Sequence, residues 1–366
     1  MGRTSGLGDD VTEASDRRNF LKLLVNKAAV NAREANVALG PLSPLNRQPF
    51  GLASLRPDPS SEPEAPETPD PRSSVPATAV ARTADIEELM ALADELGLGG
   101  RSDVIRSLAV ESVRLTHVDR DDSSGCHSRF GGRPDLPLSA KWPTWRGERL
   151  PFVMQLDLAE PVLLEHTDMP NSGLLLVFAE RTGEATGLHP SHVRSVRTVL
   201  VDPPAPQEAD RRQSGLPIQL STELSLPREW SADVQSLNLD EDELSAWGVL
   251  RTRLAQRQGV QLTDAGSDPP PALHRLFGFA DETTGAMPLA CELMAAGHDV
   301  SDGYPAMHPE AAASETAAGR WRLLLQLSAD PDLGWSWGAE ACRLYIWVDR
   351  DDLVHGKLDA GRPFRR

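Results

Sequence analysis

The spacing of apolar residues changes several times along the chain, and each change predicts an element. Leu150 to Glu160 (LPFVMQLDLAE), Gly173 to Glu180 (GLLLVFAE) and Val193 to Asp202 (VRSVRTVLVD) are short apolar runs bounded by Pro or Gly. Runs of that length with those boundaries predict strands. From about Leu108 to Val118, Val113, Leu115 and His117 alternate with Ser112, Arg114 and Thr116, again a strand pattern. Arg322 to Leu327 and Cys342 to Asp349 add two more strands. Elsewhere the period is helical. Ile86, Leu89, Met90 and Ala93 share one helix face, stopped by Gly97, Gly99 and Gly100. Asp240 and Glu243 stand in capping-box spacing ahead of Leu244, Trp247, Leu250 and Leu254, with Gly259 beyond. Pro288 to Ala296 predicts a shorter helix, with proline in its first turn.

Two of the strand pairs echo each other. WRLLLQLSAD (Trp321 to Asp330) repeats the shape of PFVMQLDLAE (Pro151 to Glu160), with Gln326 in the place of Gln155. CRLYIWVD (Cys342 to Asp349) then matches GLLLVFAE. Each unit reads strand, loop, strand, which predicts a duplicated hairpin and a pseudo-twofold sheet. A glutamine inside a strand must be hydrogen-bonded if it is buried. The two amides therefore either hold sheet and loops together or face a ligand.

The N-terminal part follows other rules. Leu21, Leu24, Val25, Ala28, Ala32 and Ala35 recur at helical spacing, predicting an amphipathic helix over about 16–38, ended by Gly40 and Pro41. Its Asp16 to Lys22 stretch, DRRNFLK, has twin arginines but no apolar segment after them, so we expect a cytoplasmic protein. Pro41 to Pro76 holds ten prolines among Ser, Glu and Asp, a composition that cannot bury enough apolar surface to order itself. The expected organisation is a helix in residues 1–40, a Pro-rich linker in 41–82 and one domain in 83–366. The apolar face of Phe20, Leu21, Leu24 and Ala28 would dock on a protein partner.

Charge and cysteine content narrow the function. The 366 residues carry a formal net charge of -17, which argues against nucleic-acid binding and against docking on anionic lipid. Cys126, Cys291 and Cys342 are odd in number and far apart, so neither a disulfide framework nor a structural zinc is expected. No nucleophile elbow, HExxH helix or phosphate loop is present, and no metal, cofactor or catalytic residue is assigned. The pairs Cys126-His127, His189/His192 and His298-Asp299 and the Asp330-Pro331-Asp332 stretch are read as ordinary surface, core or turn residues. Eight tryptophans stand against two tyrosines. Trp142, Trp145, Trp335 and Trp337 flank the two echoed units. With Gln155 and Gln326 they form the candidate ligand cleft, an aromatic wall with a few amides. The Gly131-Gly132 pair in SRFGGRPDLPLSAKWPTW precedes a strand rather than a helix, so we read that loop as a rigid lead-in to the first unit.

These motifs carry a resemblance. SRFGGRPDLP followed by KWP, LPFVMQLDL and GLLLVF, then HRLFGFADETTG, LLLQLSAD, WSWG and LYIWVDRDDL, is similar to the YwqG-like family of bacterial proteins of unknown function. The resemblance covers about Thr83 to Arg366. It implies a mixed α+β fold with a prominent antiparallel sheet, and no reaction or cofactor. The chain departs from the family at Thr283-Thr284, where a glutamine is usual, and at Trp337 to Ala341, where an Asp and a Gly are missing. The expected fold is therefore α+β, mainly antiparallel, built from the two strand-loop-strand units with a few packing helices and a separate N-terminal helix. The expected function is a non-enzymatic binding or adaptor protein. The alternatives are a structural component of a larger assembly, or a hydrolase or transferase using Asp281, Glu282, His298 and Asp299.

Overall fold

The computed structural model describes residues 77–118, 127–164, 169–202, 215–262, 272–282, 286–302, 304–338 and 342–365, with side chains from residue 85 onward. The helix expected in residues 1–40, most of the linker and Cys126 lie outside the described residues. The chain divides into two units, Met1–Ala84 with Ala232–Asn238, and Asp85–Ser231 with Leu239–Arg366. In the first, the described backbone is helical over Ala77–Ala84 and Ala232–Gln235. The helix beginning at Ala77 starts inside the segment assigned to the linker.

The helices are α1 (Ala77–Glu95), α2 (Ser102–Leu108), α3 (Pro161–Leu164), α4 (Ala232–Gln235), α5 (Glu241–Arg257), α6 (Met287–Ala295), α7 (Ala311–Ala318) and α8 (Arg350–Val354). The strands are β1 (Val110–His117), β2 (Arg129–Phe130), β3 (Thr144–Trp145), β4 (Glu148–Arg149), β5 (Phe152–Asp157), β6 (Leu174–Ala179), β7 (Val196–Val201), β8 (Leu216–Ser225), β9 (His274–Phe277), β10 (Trp321–Ser328), β11 (Arg343–Asp349) and β12 (Arg362–Arg365). Ten of them form one sheet in the order β12-β11-β10-β9-β1-β8-β2-β5-β6-β7, while β3 and β4 pair separately. Every pairing is antiparallel. The protein is thus α+β with a large antiparallel sheet.

Burial explains which strands the sequence announces. β6 is buried at all six positions. Leu175, Val177 and Ala179 enter the main core, while Leu174, Leu176 and Phe178 enter a cluster on the opposite face. β11 behaves alike: Leu344, Ile346 and Val348 face the main core, and Tyr345 and Trp347 a third cluster with α6. A strand covered on both faces reads as a continuous apolar run rather than an alternation. The central pair β1 and β8 aligns from Val110 opposite Ser225 to His117 opposite Ile218.

Helix α5 begins as its residues dictate. The Asp240 side chain accepts from the Glu243 N–H at 2.8 Å, and the Glu243 carboxylate accepts from the Asp240 N–H at 3.1 Å. Trp247, Leu250 and Leu254 are buried along one face. At the other end the Gln258 amide accepts from the Leu224 N–H at 2.6 Å and donates to the Leu224 carbonyl at 3.0 Å, bonding β8 as a neighbouring strand would. Replacing Asp240 with Ala removes the cap and should lower the unfolding free energy by about 1 kcal/mol in urea denaturation. An unchanged midpoint would contradict this role for the capping box.

Candidate functional site

The six residues of the expected cleft do not converge. Trp335 and Trp337 lie in the main core, with rings 5.6 Å apart, and Trp337 Nε1 donates to the Ser328 carbonyl at 3.0 Å. Trp142 and Trp145 pack with the cluster on the opposite face of the sheet. There Trp142 stacks edge-on against Phe178 at 5.3 Å and donates to the Leu150 carbonyl. Trp145 donates to the Ser191 carbonyl at 3.1 Å and lies under the Arg146 guanidinium. Alternation along the strand separates the two pairs: inward neighbours of one face cannot meet those of the other.

Both glutamines are fully buried, and each is hydrogen-bonded through both its oxygen and its nitrogen. Gln155 lies opposite Leu176 and Gln326 opposite Tyr345, on the face away from Trp335 and Trp337. Gln155 Oε1 accepts from the Asp135 N–H at 3.1 Å, and its Nε2 donates to the His127 carbonyl and the Asp135 carboxylate. Gln326 Oε1 accepts from the Asp281 N–H at 2.8 Å, and its Nε2 donates to the Leu273 carbonyl. In both strands the register slips just before the glutamine, between Phe152 and Met154 and between Leu323 and Leu325. The neighbouring strands match as well. Arg129 is paired with Gln155 and Arg275 with Gln326. Arg129 donates to the Arg133 carbonyl and Arg275 to the Phe279 carbonyl, each four residues on. The intervening residues Gly131, Gly132, Phe277 and Gly278 have φ of 63°, 74°, 58° and 68°. Three are glycines, which carry no steric cost there. Phe277 takes the same conformation with a side chain.

Asp281 has a structural setting. Its carboxylate meets Arg228 at 2.5 Å, Arg343 at 2.7 Å and Arg251 at 2.8 Å, all inside the protein. Burial, and then Arg228 beside it, push the Arg251 guanidinium below its ordinary value, with Asp281 working the other way. A carboxylate held by three guanidinium groups is a poor proton acceptor. Of the other residues weighed for an enzyme, His298 stacks on His308 at 4.9 Å, and Asp299 is exposed and accepts from the Ser301 N–H. His189 and His192 have rings 5.6 Å apart at the surface, and His189 Nδ1 accepts from the Ser191 N–H.

A different group of residues comes together at one end of the central strands. The cleft there, about 250 Å³, is lined by Phe130, Gly131, Gly132, Gly215, Leu216, Asp332, Leu333 and Trp335. The Gly131-Gly132 loop therefore forms a wall of it. Gly215 lies so close to the Phe130 and Gly131 carbonyls that a Cβ would stand 2.7 Å and 2.9 Å from them. Behind the cleft, Trp335 stacks against Phe130 at 5.2 Å and His274 at 5.5 Å. His274 Nε2 lies 3.0 Å from Asp330 Oδ2, and donates because a carboxylate can only accept. Asp330 Oδ1 accepts from the N–H groups of Asp332 and Leu333, which makes the expected turn. His117, at the end of β1, stands 3.9 Å from Asp332. Among the described residues, His117, Asp330 and Asp332 form the one group of three side chains whose ligating atoms lie within 4.8 Å of one another. The sequence marks the Asp-Pro-Asp stretch as a turn but gives no sign that His117, from a distant strand, closes on it.

The fold and this cleft define an α+β protein with one large antiparallel sheet and a small site at the end of its central strands. Residues 128–360 match the family described as Domain of unknown function (DUF1963), and the chain belongs to that family. No curated protein matches the chain. The matched residues contain both glutamines, the glycine loop, His274 and the Asp330 turn; His117 precedes them.

The hydrogen bond from His274, with the N–H groups of Leu333 and Asp332 behind it, holds the Asp330 carboxyl below its ordinary value, against the opposing effect of burial. A lowered folded value means that Asp330 stabilises the fold in full above about pH 4, its unfolded value, and that this is lost as pH falls through the folded value. Melting temperature should therefore drop as pH falls below about 4, and drop less in Asp330→Asn. Equal drops in the two proteins would remove Asp330 from the acid response.

Proposed function

We propose that the protein is a non-enzymatic binding protein whose ligand seat is the cleft at the end of the central strands. The observation that carries this reading is the convergence there of a carboxylate (Asp332) and the backbone of Gly131, Gly132 and Gly215 over the buried rings of Phe130 and Trp335. A concave seat where a few polar groups converge can fix the orientation of a small ligand. At about 250 Å³ the cleft suits one ring or a short side chain rather than a large cofactor. The reading moves the seat away from Trp142, Trp145, Gln155 and Gln326 and keeps Trp335, with Trp337 packed behind it.

The rest of the reading extends the sequence expectations. The chain is a YwqG-like member of its family, bacterial and cytoplasmic, and its residues 1–40 dock on a protein partner through Phe20, Leu21, Leu24 and Ala28. The motif order from SRFGGRPDLP to LYIWVDRDDL supports the first part, and the helical spacing in residues 16–38 supports the last. Among the described residues no helix is long and apolar enough to cross a membrane. The sheet is a duplication in which β1, β2, β5, β6 and β7 correspond to β8, β9, β10, β11 and β12. The mirrored strand order, the two register slips, the two glutamine clamps and the two left-handed turns support it.

Two measurements test the functional reading. A thermal-shift screen of the full chain against free amino acids, nucleosides and monosaccharides should yield at least one stabiliser whose effect disappears in Leu333→Arg, which fills the cleft. A screen without stabilisers, or stabilisers indifferent to Leu333→Arg, would contradict the seat. Deleting residues 1–40 should remove proteins that the full chain captures from its native cell extract, while the circular dichroism of the remainder stays folded. An unchanged set of captured proteins would contradict docking by that segment.

A further inference from the structure

We infer that His117, Asp330 and Asp332 bind one divalent transition-metal ion at the mouth of the cleft. This departs from the sequence expectation of no metal, and it stands independently of any organic ligand in the cleft.

His117 Nε2 and Asp332 Oδ2 are 3.9 Å apart, too far for a hydrogen bond and within the span of about 4.2 Å that two ligand atoms can reach across one ion. Asp332 is largely exposed, with 78% of its side chain open. Asp330 is the opposite. It is 4% exposed and already oriented, with Oδ1 held by two backbone N–H groups and Oδ2 by His274. An ion-ligating carboxylate that is itself hydrogen-bonded by a second shell is the usual arrangement in metal sites. His274 is 5% exposed, and among the described residues its Nδ1 has no hydrogen-bond partner, so the buried imidazole is committed there on one side only, to Asp330. Holding an uncommitted buried nitrogen is costly. The arrangement makes sense if fixing Asp330 is what His274 does.

The three ligands come from different places in the chain and meet because of the sheet. His117 ends β1, beside Ile218 at the start of β8. Asp330 follows β10 and is locked by its bridge to Trp335. One side is a rigid strand end and the other a hydrogen-bonded turn, so little ordering remains to be done on binding. The donor set decides the ion. One imidazole with two carboxylates favours Zn²⁺ or Mn²⁺ over Mg²⁺, which prefers oxygen ligands and keeps its water. Three protein ligands leave coordination positions open, and the neighbouring cleft lined by Asp332 and Trp335 is where a further ligand would bind.

The test uses the full chain stripped of metal and titrated calorimetrically with ZnCl₂ and MnCl₂, with MgCl₂ as the hard-cation control. One ion per chain should bind, and His117→Ala and Asp332→Ala should each weaken binding at least tenfold. Neither side chain is buried, so both variants should keep the wild-type melting temperature without metal. His189→Ala/His192→Ala, at the other exposed histidine pair, should bind as wild type does. Absence of Zn²⁺ and Mn²⁺ binding in the wild type would overturn the proposal. So would binding that survives both His117→Ala and Asp332→Ala, or that is lost only in the His189/His192 variant. Failure of the organic-ligand screen leaves these outcomes unaffected, so the two readings fail separately.

Discussion

A strand covered on both faces is closed to water, and every polar group in it must find its partner within the protein. β5, β6, β10 and β11 are such strands. Gln155 and Gln326 sit inside them with no exposure, and each spends its amide on the backbone of the loop beside the next strand. The glutamines therefore act as clamps. Gln155 fixes the Asp135 end of the glycine loop, and Gln326 fixes Asp281 and so the meeting point of Arg228, Arg251 and Arg343. Charge burial on that scale is tolerable only because each ion has partners; removing one would leave an uncompensated charge.

The same demand shapes the end of the sheet where the cleft forms. Gly131 and Gly132 take left-handed backbone there, and Gly215 passes close to the carbonyls of the neighbouring segment. The turn after β10 is held by Asp330, which is held in turn by His274. A cleft built from clamped loops on strand ends is set before any ligand arrives, which lowers the ordering cost of binding.

Of the strands that could be read from the sequence, β5, β6, β10 and β11 are buried on both faces and nothing interrupts their apolar run, whereas β1 and β7 are only partly covered and showed as an alternation and as a short run ended by proline. β8 escaped because its middle, from Gln219 to Glu223, is polar and only partly covered, with Glu223 buried against Arg275 instead of facing solvent. β9 and β12 are four residues each, with charged residues that the protein buries through ion pairs and backbone bonds. The capping box of α5 was legible because it is local chemistry. The glutamines were legible as anomalies, though their role as clamps was not, since their partners lie in other segments. For the tryptophans, loop position alone could not distinguish the two faces of the sheet. His117 and Asp330 are joined only by the strand order, which no local pattern encodes.

The dependence of the whole arrangement on the two amide clamps is tested most directly by native-state hydrogen exchange at the Asp135 and Asp281 N–H groups. Both lie outside regular strands, yet each is bound by a buried glutamine oxygen. They should exchange as slowly as the amides of β6 and β11. Exchange at the rate of exposed loop amides would show that the clamps open freely, and would contradict the claim that they hold the loops of this fold.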